Sequence, residues 1–199
     1  GPAECNACLA SSADPRPTNI TEWRRSHAWL LEEAERVLCP SLDLKRRMVR
    51  YAPHANFVVV PHEPVTSDRW HVRATGLRPQ QRLRVGILGM VARHKGRNSI
   101  CAAALAVDSA DVEFVIIGSC EPALPARVRR LVRETGPYHE SALSRLIAES
   151  DVHVIWFPAN VPETYSYTLS AAIAAELPII APPLRSEEHT SELQSRVDI

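Results

Sequence analysis

Four short apolar stretches set the pattern of the second half of this chain. Leu83 to Leu88, Val112 to Ile117, Val152 to Phe157 and Pro178 to Ala181 are nearly continuous runs of Val, Ile, Leu and Phe, closed by glycine, serine or proline. Runs of that length, without polar alternation, suit parallel strands covered by helices on both faces. Between them lie segments of helical character: the alanine-rich Ser99 to Val107, and Thr168 to Ala175, which is built mostly from good helix formers. Strands alternating with helices over residues 82 to 181 predict a doubly wound α/β half-domain, with its ligand outside the carboxyl ends of the strands. Five of the seven glycines (Gly86, Gly89, Gly96, Gly118 and Gly136) fall at strand ends or loops on that layout.

The first 80 residues read differently. Trp23 to Arg36 is patterned as an amphipathic helix, Val37-Leu38-Cys39 as a short buried strand, Leu42 to Tyr51 as a helix, and Phe57 to Val60 as a strand stopped by Pro61-His62. Thr66 to Gln81, with Pro64 and Pro79 around it, has the composition of a linker.

Local chemistry narrows the second half further. Glu163-Thr164-Tyr165-Ser166 places an acid and turn-compatible residues just ahead of an apolar helix that should begin near Ser166. Free amides at a helix start, with the dipole behind them, attract a diphosphate. Glu163 on this evidence either stands beside a group that the diphosphate carries or merely complements the dipole. The spacing Gly86, Gly89, Ala92 is not Gly-x-Gly-x-x-Gly, and no acid ends the next strand, so an NAD-dependent dehydrogenase is the weaker reading.

The stretch PETYSYTLSAAIAAELPI, residues 162 to 179, resembles the donor-binding signature of retaining GT-B glycosyltransferases (family 4-like, group 1), with Pro162, Glu163, Ala172, Ala174, Ala175, Leu177 and Pro178 matching. Arg82 to Gly89, followed by Lys95-Gly96, resembles the first strand and loop of the same enzymes' nucleotide domain. The resemblance implies that Lys95 faces the diphosphate together with the amides of Ser166 and Tyr167, and that Glu163 lies against the donor sugar; Glu163 and Lys95 are then the catalytic candidates. Gly89, Gly136, Tyr138 and Tyr165 complete the implied donor site. Thr135-Gly136-Pro137-Tyr138 resembles the turn that meets the nucleobase, although Tyr138 reads equally well as a packed loop aromatic. Two departures stand out. Met90 occupies a position where the family has arginine, unless Arg93 or Arg97 substitutes, and Ala171 replaces a glutamate that grips the ribose. A non-catalytic nucleotide-binding or interaction domain is therefore the alternative.

The resemblance also organises the chain. Cys39-Pro40-Ser41 and Pro61-His62-Glu63 match the end of the family's N-terminal domain, so the expectation is a remnant of the acceptor domain over 1–64, a linker over 65–81 and a truncated nucleotide-sugar domain over 82–184. Residues 185–199 read like a translated sequencing adaptor, and the fragment itself is expected to be inactive. The implied partners are a nucleotide-sugar donor and a glycan or lipid-linked acceptor of bacterial surface polysaccharide synthesis. The implied chemistry needs no metal or other cofactor.

Composition leaves this picture unchanged. Lys plus Arg and Asp plus Glu each number 23, so no global field calls for nucleic acid or membrane. The absence of a long apolar run suggests a cytoplasmic protein, with peripheral membrane association where an acceptor resides. Cys5 and Cys8 have half the spacing of a zinc site, and reduced, silent thiols are the simpler expectation. Arg127, Arg129, Arg130 and Arg133 read as a solvated face, and Asn19-Ile20-Thr21 as a glycosylation sequon by letters only.

Overall fold

The computed structural model describes residues 1–10, 19–61, 76–159, 161 and 165–182. The chain divides into two compact units, Gly1–His62 and Glu63–Ile199.

In the first unit, α1 (Pro2–Ala10) and α2 (Ile20–His27) precede a short α3 (Trp29–Glu32), and the parallel pair β1 (Val37–Cys39) and β2 (Phe57–Val59) flanks α4 (Leu42–Val49). Local sequence explains both helix starts. Asn19 Oδ1 accepts from the amides of Thr21 and Glu22, and Ser41 Oγ accepts from Leu44 N at 3.1 Å, each satisfying amides that a helix leaves open. Asn19, a sequon residue by letters, thus serves as a helix cap. The single helix expected from Trp23 to Arg36 is instead two pieces, ending at Glu32. Ser26 Oγ and His27 Nδ1 both fold back onto the Trp23 carbonyl, at 2.9 and 2.7 Å, and Ala28 N turns to Arg25 O. Back-bonding of this kind bends a helix. Cys39, Ala52 and Phe57 form the small core.

The second unit is a five-stranded, fully parallel sheet in the order β5-β4-β3-β6-β7: β3 (Leu83–Leu88), β4 (Val112–Ile117), β5 (Val132–Glu134), β6 (Val154–Trp156) and β7 (Ile179–Ile180). Alternation along β4 divides the interior in two. Val115 and Ile117 face a core built with α7 (Leu143–Ser150) and α8 (Tyr167–Ala174), whereas Phe114 and Ile116 face one built with α5 (Arg97–Ala106) and α6 (Ala126–Arg129). Helices on both faces make the sheet doubly wound, and the four expected strands are neighbours with the expected parallel sense. Ile100, Ile116, Ile147 and Ile155 are essentially fully buried, each worth ~1.5–3 kcal/mol of burial.

Strand β5 has no counterpart in the sequence reading. It has three residues, of which only Val132 is buried, and two are charged. Its Arg133 belonged to the basic cluster read as a solvated face; it pairs instead with Glu113 at 3.6 Å and donates to the Ser150 carbonyl. At the opposite end of the sheet from the carboxyl ends, Arg84 pairs with Glu113 and Asp151. His153 is buried there, its Nδ1 accepting from Arg84 N at 2.9 Å while its own amide donates to Arg84 O. Among the described residues no helix is long and apolar enough to cross a membrane.

Candidate functional site

The chain runs outward from β3 through β4 to β5 and then crosses back to β6, so the order of strands reverses between β3 and β6. Open α/β sheets bind ligands outside the carboxyl ends at such a switch point. A cavity of about 750 Å³ lies there.

Its floor is made by the turns after β3 and β4, which converge closely. Gly89 N donates to Ile117 O and Gly136 N to Gly118 O, both at 2.9 Å, and Gly118 N donates to Thr135 Oγ1 at 3.0 Å. A side chain at Gly118 would put its first carbon 2.1 Å from the Gly89 carbonyl oxygen. Only glycine permits that approach.

One wall is the start of α8. Ser166 is its extended N-cap residue, as the sequence pattern predicts, yet its own side chain does not cap the helix; Ser166 Oγ faces Thr168 Oγ1 at 3.3 Å instead. Tyr167, Thr168 and Ala171 line the cavity from this helix. Leu169 N turns back to Ser166 O at 3.0 Å, and the dipole behind this end gives it a partial positive charge. Tyr165 is turned onto its own helix, with its hydroxyl 2.8 Å from Ser170 Oγ and its ring edge-on to Tyr167. That contact occupies Ser170, and the buried Ala171 beside it has no polar side-chain atom.

The facing wall comes from the segment between β5 and α7. Pro137, Tyr138, Glu140 and Leu143 line it. Tyr138 is half-buried and packs against the core beneath α7 and α8. Burial, and then the charge of Glu140, hold its phenol above the ordinary tyrosine range, so it remains a neutral donor at physiological pH.

The sequence-derived candidates are distributed unevenly over this geometry. Gly89, Tyr138 and Tyr167 line this same cavity, and Gly136 is tied to its floor. Lys95 does not line the described cavity. It sits in the turn before α5, and that turn is pressed against the end of β6, since a side chain at Gly96 would come within 2.1 Å of the Pro158 carbonyl oxygen. Pro158 leads towards residues 162–164, and Glu163 lies outside the described residues. Met90 lines the mouth, half-exposed. Arg97 is committed elsewhere, its guanidinium donating to the carbonyls of Pro122 and Ala123 at 2.8 and 2.6 Å, and so does not take the place of the arginine absent at position 90. Ser119, Glu121 and Glu140 line the cavity without having been singled out in the sequence. No local motif marks them, because the sheet alone brings their loops together. Cys5 and Cys8 lie on α1, and among the described residues no group of three His, Cys, Asp or Glu side chains is placed to hold a metal.

No family model and no curated protein matches the chain. Solved structures do. Sucrose-phosphate synthase from Thermosynechococcus elongatus superposes with a TM-score of 0.64 at 17% identity, over 90% of this chain and 48% of that one. Anabaena HepE, solved with UDP and glucose, gives 0.62 at 13% identity, over 85% and 50%. The lipopolysaccharide outer core galactosyltransferase WaaB, in its apo form, gives 0.55 at 17% identity, over 77% and 44%. These are GT-B glycosyltransferases, and the second unit has the parallel, Rossmann-like architecture of that fold. The chain spans about half the length of the structures that it matches.

Proposed function

We propose that this chain carries the donor-binding part of a retaining, family 4-like glycosyltransferase that moves a hexose from a nucleoside-diphosphate sugar to a glycan or lipid-linked acceptor in bacterial surface polysaccharide synthesis. The observation that carries the reading is the cavity at the switch point, floored by the Gly89 and Gly118 turns and walled by the start of α8, in a fold shared with a protein solved holding UDP and glucose. In this reading the amides at Ser166 and Tyr167 and the Lys95 ammonium stabilise the departing diphosphate, which is charge stabilisation by fixed dipoles and a cation. Glu163 acts against the donor sugar, Gly136 and Tyr138 meet the base, and Tyr165 steadies the helix start. No metal is needed for that chemistry. The working site is the cytoplasm, at the membrane face where a lipid-linked acceptor would reside.

A second reading, a nucleotide-binding domain without transferase activity, is favoured by Met90 at the mouth and by the engagement of Arg97 with backbone carbonyls. Calorimetric titration with UDP, GDP and ADP, each against its nucleoside, tests what the readings share: a diphosphate should bind at least tenfold more tightly than its nucleoside. Slow release of free nucleotide from the matching nucleotide sugar would favour the enzyme. Binding without any turnover, also in a longer form of the polypeptide, would favour the second reading, and no binding by any diphosphate would overturn both.

A further inference from the structure

Two cysteines of the first unit share one face of a helix. Cys5 and Cys8 are three residues apart on α1, where side chains at i and i+3 are neighbours. Both are thiols, Cys8 exposed and Cys5 half-buried. Cys39 and Cys120, by contrast, are buried in the cores, and that burial pushes both of their thiols above the ordinary range. Those two behave as small hydrophobes, whereas the α1 pair is open to a reagent.

The joint between α1 and α2 holds the pair in a defined setting. Asn6, between the two cysteines, accepts from Ile20 N through Oδ1 at 2.8 Å. One turn further along α2, Arg24 Nη2 lies 3.9 Å from Cys5 Sγ. Arg24 is itself held, its guanidinium carbon 4.3 Å from the centre of the Tyr51 ring. A cation fixed beside the sulfur repels a metal ion and attracts an anion. The setting is therefore a poor half-site for zinc and a good one for thiol chemistry with a negatively charged partner. In a reducing compartment a Cys-x-x-Cys pair serves redox or metal chemistry in preference to a structural bridge.

We propose that Cys5 and Cys8 form a redox-active dithiol that exchanges with an anionic low-molecular-weight disulfide, such as oxidised glutathione. The Cys5 thiolate attacks one sulfur of that disulfide; its S–S bond breaks, and one small thiolate departs and takes a proton from water. The Cys8 thiolate then attacks Cys5 Sγ in the mixed disulfide and expels the second small thiolate. The protein dithiol is thus oxidised by two electrons to one disulfide, and the small disulfide is reduced to two thiols. Closure needs Cβ atoms ~3.5–4.5 Å apart, closer than the ~5–6 Å of i and i+3 on a regular helix. A 3-10 tightening of the turn, in which i and i+3 eclipse, brings them together. Arg24 acts as a positioning residue that draws the anion to Cys5.

Incubation of the full chain with oxidised glutathione, alkylation of the remaining thiols and peptide mass spectrometry test the assignment. The peptide carrying residues 5 and 8 should hold an internal disulfide, reversed by excess reduced glutathione, while Cys39 and Cys120 still alkylate after unfolding. Cys8→Ser should stop at the mixed disulfide on Cys5. Arg24→Gln should slow closure by oxidised glutathione about fivefold at low salt and leave closure by the uncharged hydroxyethyl disulfide nearly unchanged. A merely structural role for Arg24 would slow both alike, and that result would overturn its part while leaving the dithiol standing. Full alkylation of Cys5 and Cys8 after the oxidant, a bridge from either to Cys39, Cys101 or Cys120, or a zinc ion retained in place of closure would overturn the proposal.

Discussion

Gly118→Ala isolates the contact on which the cavity floor depends. Two costs add at this position. The backbone has φ +140°, where a side chain is strained, and the new carbon would meet the Gly89 carbonyl oxygen at 2.1 Å, with the Gly89 carbonyl carbon at 2.7 Å. Backbone strain of this kind costs ~1–3 kcal/mol. A carbonyl cannot rotate away like a side-chain tip, so relief requires the β3 and β4 turns to separate, with an overpacking cost of a further ~1–3 kcal/mol. Gly136→Ala is the internal control: φ there is +87°, yet nothing lies within 4 Å of the added carbon. Gly136→Ala should therefore show the strain alone and Gly118→Ala the strain plus the clash. Thermal unfolding followed by near-UV circular dichroism, which reports packing in the second unit through Trp156 and Tyr138, should give a clearly larger loss for Gly118→Ala. Nucleotide binding should fall with it, because the floor opens. Equal losses in the two variants would refute the close approach of the strand ends.

Three further expectations follow from the same structure. Lys95→Ala should weaken nucleoside-diphosphate binding by ~1.5–3 kcal/mol while leaving the nucleoside nearly unaffected; equal losses for the two ligands would remove Lys95 from the diphosphate. His153→Leu leaves the Arg84 amide without its acceptor and should cost ~1–3 kcal/mol of stability, partly recovered by His153→Asn, measured by chemical denaturation. The phenol of Tyr138 is raised above its ordinary value of 10.0, so the unfolded chain gives up that proton first and stability should decline as pH rises past about 10. Tyr138→Phe should remove that part of the decline in unfolding experiments between pH 8 and 11, and an unchanged profile would show that the phenol is not held neutral by burial.

Sequence alone determined the features that are written locally. Continuous apolar runs needed no partner to declare β3, β4 and β6, because a strand buried on both faces has no polar side to alternate. The start of α8 at Ser166 was equally legible, since turn-compatible residues ahead of helix formers act over a few bonds. Tertiary structure decided what depends on distant neighbours. β5 is a strand because Phe114, Val115 and Ile116 supply its partners, although its own residues are mostly charged. The split between α2 and α3 turns on side chains folding back to one carbonyl, a competition that periodicity does not register. The cavity wall unites residues from 89 to 171, and neither the meeting of Glu140 and Ala171 at one cavity nor the loss of Arg97 to the carbonyls of Pro122 and Ala123 could be read from spacing. Strand and helix periods record which face of an element is buried; which side chains meet across a sheet's carboxyl end is set by the order of its strands.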